Sequence, residues 1–178
     1  VTPFDRENHV NLRLLRELTE WLLAQQAQGF FVTGTSGEGF LMSVAERQLT
    51  LETVIDQVRG RVPILAHAGA LATGDAVALA EGAAAAGADG VSAVPPFYYR
   101  VDDDGIVQHF AAIGRASALP LYVYNIPPTT GILITAAQFA RLMEEVPTLA
   151  GMKYSAHDMF NLRRIIELGD GKLNILSG

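Results

Sequence analysis

Residues 119–155, LPLYVYNIPPTTGILITAAQFARLMEEVPTLAGMKYS, hold two short apolar runs with a helical pattern between them. The runs at 119–125 (LPLYVYN) and 149–155 (LAGMKYS) are apolar almost throughout. A strand with one wet face would alternate polar and apolar. Continuous apolarity marks a strand covered on both faces, which means a parallel sheet. Between the runs, Thr135 suits an N-cap and Pro147 a stop, so a helix is predicted over residues 135–146. Strand, helix and parallel strand make one βαβ unit.

The same alternation extends outward in both directions. Runs at 29–34 (GFFVTG), 62–69 (VPILAHAG), 90–95 (GVSAVP) and 173–177 (LNILS) read as further strands. Helical patterns cover residues 11–28, with Leu12, Leu15, Leu18, Leu22 and Leu23 on one stripe, and 43–58, where Ser43 and Glu46 form a capping box. Others cover 73–86, closed by Gly87, then 102–116 and 157–168. Strand starts recur roughly every 30 residues, the length of one βα unit.

Six strands fall short of a closed (β/α)8 barrel, which typically needs about 250 residues. An open doubly wound sheet is the competing architecture. Residues 2–4 read as the frayed end of an earlier strand, and the sequence stops just after one. The expectation is therefore an α/β fold, an incomplete (β/α)8 TIM barrel lacking the start of its first strand and its last βα unit. Residues 1–178 are expected to form one barrel domain, truncated at both ends.

Composition narrows the function. The 178 residues are 49% hydrophobic, as in an ordinary globular protein. A net charge of −6 argues against nucleic acid or an anionic membrane surface as partner. Gly, Pro or charge breaks every apolar stretch before it could span a bilayer. With no cysteine there is neither disulfide nor thiolate metal site, which suits a cytoplasmic setting. The histidines, His9, His67, His109 and His157, lie on separate elements without metal-ligand spacing, so no metal is expected. His67, in an apolar run, reads as a bonded core or pocket-wall residue, and Asp102–Asp104 as acids suited to a helix N-terminus.

Parallel α/β folds bind ligands at the carboxyl ends of their strands. Lys153 stands there, after Leu149, Ala150, Gly151 and Met152. It reads either as an amine that attacks a ketone to form an imine or as a lysine snorkelling to the surface. Tyr124, at another strand end, is either a proton relay beside such an amine or a core tyrosine with a bonded hydroxyl. The turn GTSGEG at residues 34–39 offers N–H groups and the hydroxyls of Thr35 and Ser36 to a carboxylate, or is simply a tight turn. It is neither a G-x-G-x-x-G motif nor a P-loop.

Together these motifs resemble the dihydrodipicolinate synthase and N-acetylneuraminate lyase family of class I aldolases. Five carry the resemblance: Thr2–Pro3–Phe4, the GTSGE at 34–38, Pro96–Phe97–Tyr98–Tyr99, Tyr124–Asn125–Ile126–Pro127 and Gly151–Met152–Lys153. The resemblance implies catalytic roles for Lys153, Tyr124 and Tyr98. Lys153 would form a Schiff base with pyruvate or another 2-oxo acid, and Tyr124 would move protons as the C3–C4 bond breaks or forms. Tyr98 would join the relay, often from a neighbouring subunit, which implies a homo-oligomer, commonly a tetramer built as a dimer of dimers. Gly34, Thr35, Ser36, Ser155 and Thr129 would bind substrate. No cofactor is implied, because the imine is itself the electron sink.

Two features bear on the branch. Synthases of the family usually carry Arg where this chain has Thr129, and Thr lacks the bidentate fork that grips a carboxylate. Residues 91–99 (VSAVPPFYY) and 67–71 (HAGAL) resemble the sialate lyase branch. The expectation is cleavage or synthesis of a sialate-like or 2-keto-3-deoxy sugar acid, giving pyruvate and an aldehyde. The alternatives are a dihydrodipicolinate synthase acting on pyruvate and aspartate semialdehyde, and a non-catalytic ligand-binding relative.

Overall fold

A computed structural model describes residues 1–178. Its strands are β1 (Phe30–Val32), β2 (Ile64–His67), β3 (Gly90–Ala93), β4 (Leu121–Asn125), β5 (Leu149–Tyr154) and β6 (Asn174–Ser177). Its helices are α1 (Leu12–Ala24), α2 (Val44–Val58), α3 (Thr73–Ala86), α4 (Asp103–Ser117), α5 (Pro127–Thr130), α6 (Ala136–Glu145) and α7 (Met159–Leu168).

The strands are hydrogen-bonded in sequence order, and every pairing is parallel. A doubly wound sheet would reverse its order at a switch point, and this one does not. Curvature settles the architecture. β1 and β5 are four strand spacings apart, about 19 Å across a flat sheet. Yet the Nζ of Lys153 on β5 lies 4.4 Å from the ring centroid of Phe31 on β1. The sheet is curled into an arc of a (β/α)8 barrel, with β1 and β6 at its two edges.

Local chemistry sets the helix starts. Ser43 accepts the N–H of Glu46 at 3.2 Å, and Glu46 returns a carboxylate to the Ser43 N–H at 2.8 Å. Thr135 and Gln138 form the same box on α6. Such a cap contributes about 1 kcal/mol. Gly87 closes α3 at φ +87°. α6 then buries Phe139 and Leu142, each worth roughly 1.5–3 kcal/mol when fully buried.

Three details differ from the sequence reading. α1 ends at Ala24, because Gln26 adopts φ +64° and turns the chain away. Residues 2–4 add no strand to the sheet; Phe4 makes a lone antiparallel bridge to Val10. A short helix, α5, follows β4, seeded by Pro127 at its first position and ended by Gly131. No helix is long and apolar enough to cross a membrane.

Candidate active site

β4 and β5 pair so that Tyr124 stands directly beside Lys153. The Lys153 Nζ lies 4.0 Å from the centroid of the Tyr124 ring, as well as over Phe31. Its stem comes from an apolar strand in which Met152 is wholly buried, so the amine is presented against two aromatic faces.

The turn after β1 closes the site from the opposite side of the arc. The N–H groups of Gly37 and Gly39 bond the Gly34 carbonyl, and that of Glu38 bonds the Thr35 carbonyl. Those bonds leave the N–H groups of Thr35 and Ser36 with no protein acceptor. The Thr2 hydroxyl ties the turn down at the Gly37 carbonyl, at 2.7 Å. Gly34, Thr35, Ser36 and Lys153 border one cavity of about 230 Å³. A turn with free N–H groups beside such a space suits a carboxylate.

The Thr35 hydroxyl reaches the Tyr124 phenol at 3.4 Å and so joins the turn to the strand pair. Burial pushes the Tyr124 phenol up, but hydrogen bonding to Thr35 and the proximity of Lys153 and Ser155 outweigh it. The phenol is held below its ordinary 10.0. Ser155 is fixed by its N–H to the Asn125 carbonyl at 2.8 Å.

Beneath the phenol lies a polar knot. His67 is only 2% exposed, and its ring stands 5.8 Å from Tyr124 and from Phe31. Burial, with the Arg47 charge beside it, depresses the imidazole to about 3, so it is neutral. Arg47 is itself buried, donating to the carbonyls of His67 and Gly69. Arg47 was not foreseen as part of the site. The signal was its place on the stripe shared with Leu51, Val54 and Val58, all buried. No three His, Asp or Glu side chains gather as ligands for a metal would.

The fold therefore brings Lys153, Tyr124, Gly34, Thr35, Ser36 and Ser155 together. It does not bring Tyr98, which is 82% exposed, adopts φ +75° and packs its ring against Tyr99. Thr129 is exposed on α5, its N–H held by the Ile126 carbonyl.

Comparison with known proteins places this geometry. The chain is 36% identical over all its 178 residues to a 4-hydroxy-tetrahydrodipicolinate synthase of Oleidesulfovibrio alaskensis, covering 61% of that protein. It is 34% identical over 165 residues to N-acetylneuraminate lyase 2 of Escherichia coli, covering 92% of this chain and 54% of the relative. The structure of CdNal from Clostridium difficile, solved with mannosamine, superposes with a TM-score of 0.96 at 30% identity, covering all of this chain and 61% of that one. The chain thus spans between about half and two thirds of the length of the relatives it matches. The family model described as the dihydrodipicolinate synthetase family matches residues 1–178, and this chain belongs to that family.

Proposed function

We propose that this chain carries the Schiff-base centre of a class I aldolase that cleaves or makes the C3–C4 bond of a 2-oxo acid. The observation that carries the reading is the single cluster of amine, phenol and turn: Lys153 over Tyr124, and Tyr124 bonded to Thr35. The Lys153 amine attacks the C2 ketone, and water leaves as the imine forms. The N–H groups of Thr35 and Ser36 hold the neighbouring carboxylate, with Gly34 giving the turn its close approach. Tyr124, as its phenolate, takes the proton of the C4 hydroxyl as the C3–C4 bond breaks and becomes the neutral phenol. The bonding pair flows into the imine to give an enamine, and the aldehyde departs. Tyr124 then returns a proton to C3, and water releases pyruvate from Lys153. A phenol held below its ordinary value is more readily present as the phenolate that accepts the first proton.

Tyr98 is assigned to the proton relay of a neighbouring subunit in a homo-oligomer, a tetramer built as a dimer of dimers. Its exposure is what such a role requires. The cysteine-free composition suits a cytoplasmic enzyme.

For the substrate we favour a sialate-like or 2-keto-3-deoxy sugar acid. Thr129, exposed on α5, offers no guanidinium to a second carboxylate, and a structural relative was solved with an amino sugar. The second reading, condensation of pyruvate with aspartate semialdehyde, is favoured by the relative named as a synthase. The deciding assay follows pyruvate release from N-acetylneuraminate and from 2-keto-3-deoxy sugar acids. Release supports the first reading. Turnover only with pyruvate and aspartate semialdehyde supports the second, and no turnover with any of them leaves a ligand-binding relative.

A further inference from the structure

We propose that His67 is a positioning residue that holds both halves of the site through two separable contacts, its Nδ1–H to the turn and its ring to the phenol. The inference rests on the aldolase reading above and deepens it.

The first contact begins at Thr33. This residue is β-branched yet adopts φ +56°, a left-handed conformation that such side chains avoid. The backbone persists there only if its surroundings hold it. Thr33 precedes Gly34, so its conformation aims the N–H groups of Thr35 and Ser36. The His67 side chain reaches Thr33 at its carbonyl, with Nδ1 3.2 Å away; the Thr33 hydroxyl bonds the Val32 carbonyl at 2.8 Å and lies 3.3 Å from the His67 backbone carbonyl. The Arg47 guanidinium, which only donates, also stands 3.3 Å from Nδ1; the Thr33 carbonyl, which only accepts, is the nearer partner, and we assign the hydrogen to Nδ1 on that ground. Arg47 anchors the same His67 carbonyl at 2.5 Å, fixing the histidine's own backbone.

The second contact is the ring. It meets the Tyr124 ring at 86°, edge to face, and the Phe40 ring at 80°. The ring is closely packed on its far side: a Cβ at Gly69 would sit 2.8 Å from both the His67 Nε2 and the Val94 N. A core histidine with no functional task needs no strained partner at the site.

The two contacts can be broken one at a time. His67→Phe keeps an aromatic ring against Tyr124 but offers the Thr33 carbonyl no donor. His67→Asn keeps an N–H at the Nδ1 position and removes the ring. The readouts, on the full chain, are the half-saturating pyruvate concentration and the rate of deuterium exchange into the pyruvate methyl group at saturation. Exchange passes through the enamine and needs only pyruvate as probe.

His67→Phe should raise half-saturation about tenfold, the order expected when a buried acceptor is left unpaired, with a smaller effect on exchange. His67→Asn should leave half-saturation within about threefold and slow exchange about tenfold, as a misplaced general acid–base group would. Wild-type half-saturation in His67→Phe, or both parameters moving together in both variants, would overturn the proposal. If His67→Phe does not fold, His67→Asn decides: a rise in half-saturation as large as its loss of exchange overturns the proposal. Failure of the wild-type protein to form any pyruvate imine would instead remove the aldolase reading itself.

Discussion

Lys153 and Tyr124 face each other across one rung of the β4–β5 ladder, with the lysine Nζ 4.0 Å from the centre of the phenol ring. A parallel ladder fixes that relationship through the backbone, so neither side chain has to be held there by a long loop. On the proposed mechanism, the amine and the proton carrier are thereby positioned before any substrate arrives, which is how a site gains rate from orientation.

Tyr124→Phe should separate the two tasks. The imine with pyruvate should still form, since Lys153 and the turn are untouched. Turnover should fall by about 10²-fold or more, the usual contribution of a general acid–base group. Borohydride trapping alongside steady-state cleavage measures both. In the wild-type protein the rising limb of the cleavage profile, where the phenol ionises to the proton acceptor, should lie below pH 10.0, because the phenol is depressed from that value.

Gly39→Ala tests the turn. A Cβ at residue 39 would meet the Thr33 carbonyl oxygen, which is backbone and cannot swing away. Overpacking of this kind costs roughly 1–3 kcal/mol. The expected result is a lower thermal midpoint together with weaker pyruvate saturation, and unchanged saturation would mean that the turn does not hold the carboxylate.

Acid should destabilise the fold through its buried histidines. Burial, with Arg47 nearby, lowers His67 to about 3, and burial lowers His109 to about 4, each from an ordinary 6.5. Both are depressed, so their neutral forms favour the folded state fully above pH 6.5. As pH falls below that value the unfolded chain takes up protons that the folded chain refuses. Stability should drop by up to about 1.4 kcal/mol per pH unit for each histidine, until the folded form titrates near 4 and 3. His109→Gln should flatten the slope of denaturant-derived stability between pH 6.5 and 4.

Thr129→Arg addresses the substrate. A guanidinium on α5 supplies the bidentate fork that Thr129 lacks. The variant should gain saturation by aldehydes bearing a carboxylate and lose none of its pyruvate imine. No change in aldehyde preference would show that α5 does not reach the second substrate.

Much of the fold was legible because its signals are local. The capping boxes at Ser43 and Thr135, the closing Gly87 and the unbroken apolar runs of β4 and β5 each declare an element from a few residues. Legibility fails where the cause is distant. Nothing in residues 29–34 announces that Phe31 will meet Lys153, because that contact comes from curling across four strand spacings. Thr33 looks like a strand residue yet is left-handed, and the contact at its carbonyl comes from His67, 34 residues away. Arg47 carried a periodic signal that its charge obscured: a guanidinium on a buried stripe is affordable only with carbonyls to receive it, and those belong to β2 and the residues just after it. Tyr98 was named by resemblance, and it lies out on the surface, on the loop between β3 and α4.

The central claim is that Lys153 bonds the substrate. The most direct measurement is peptide mass spectrometry after incubation with pyruvate and borohydride, on the wild-type protein and on Lys153→Ala. A reduced pyruvyl adduct on the peptide containing Lys153, absent from a folded Lys153→Ala variant, is the predicted result. No adduct in the folded wild-type protein, or an adduct on another lysine that survives the substitution, would contradict it.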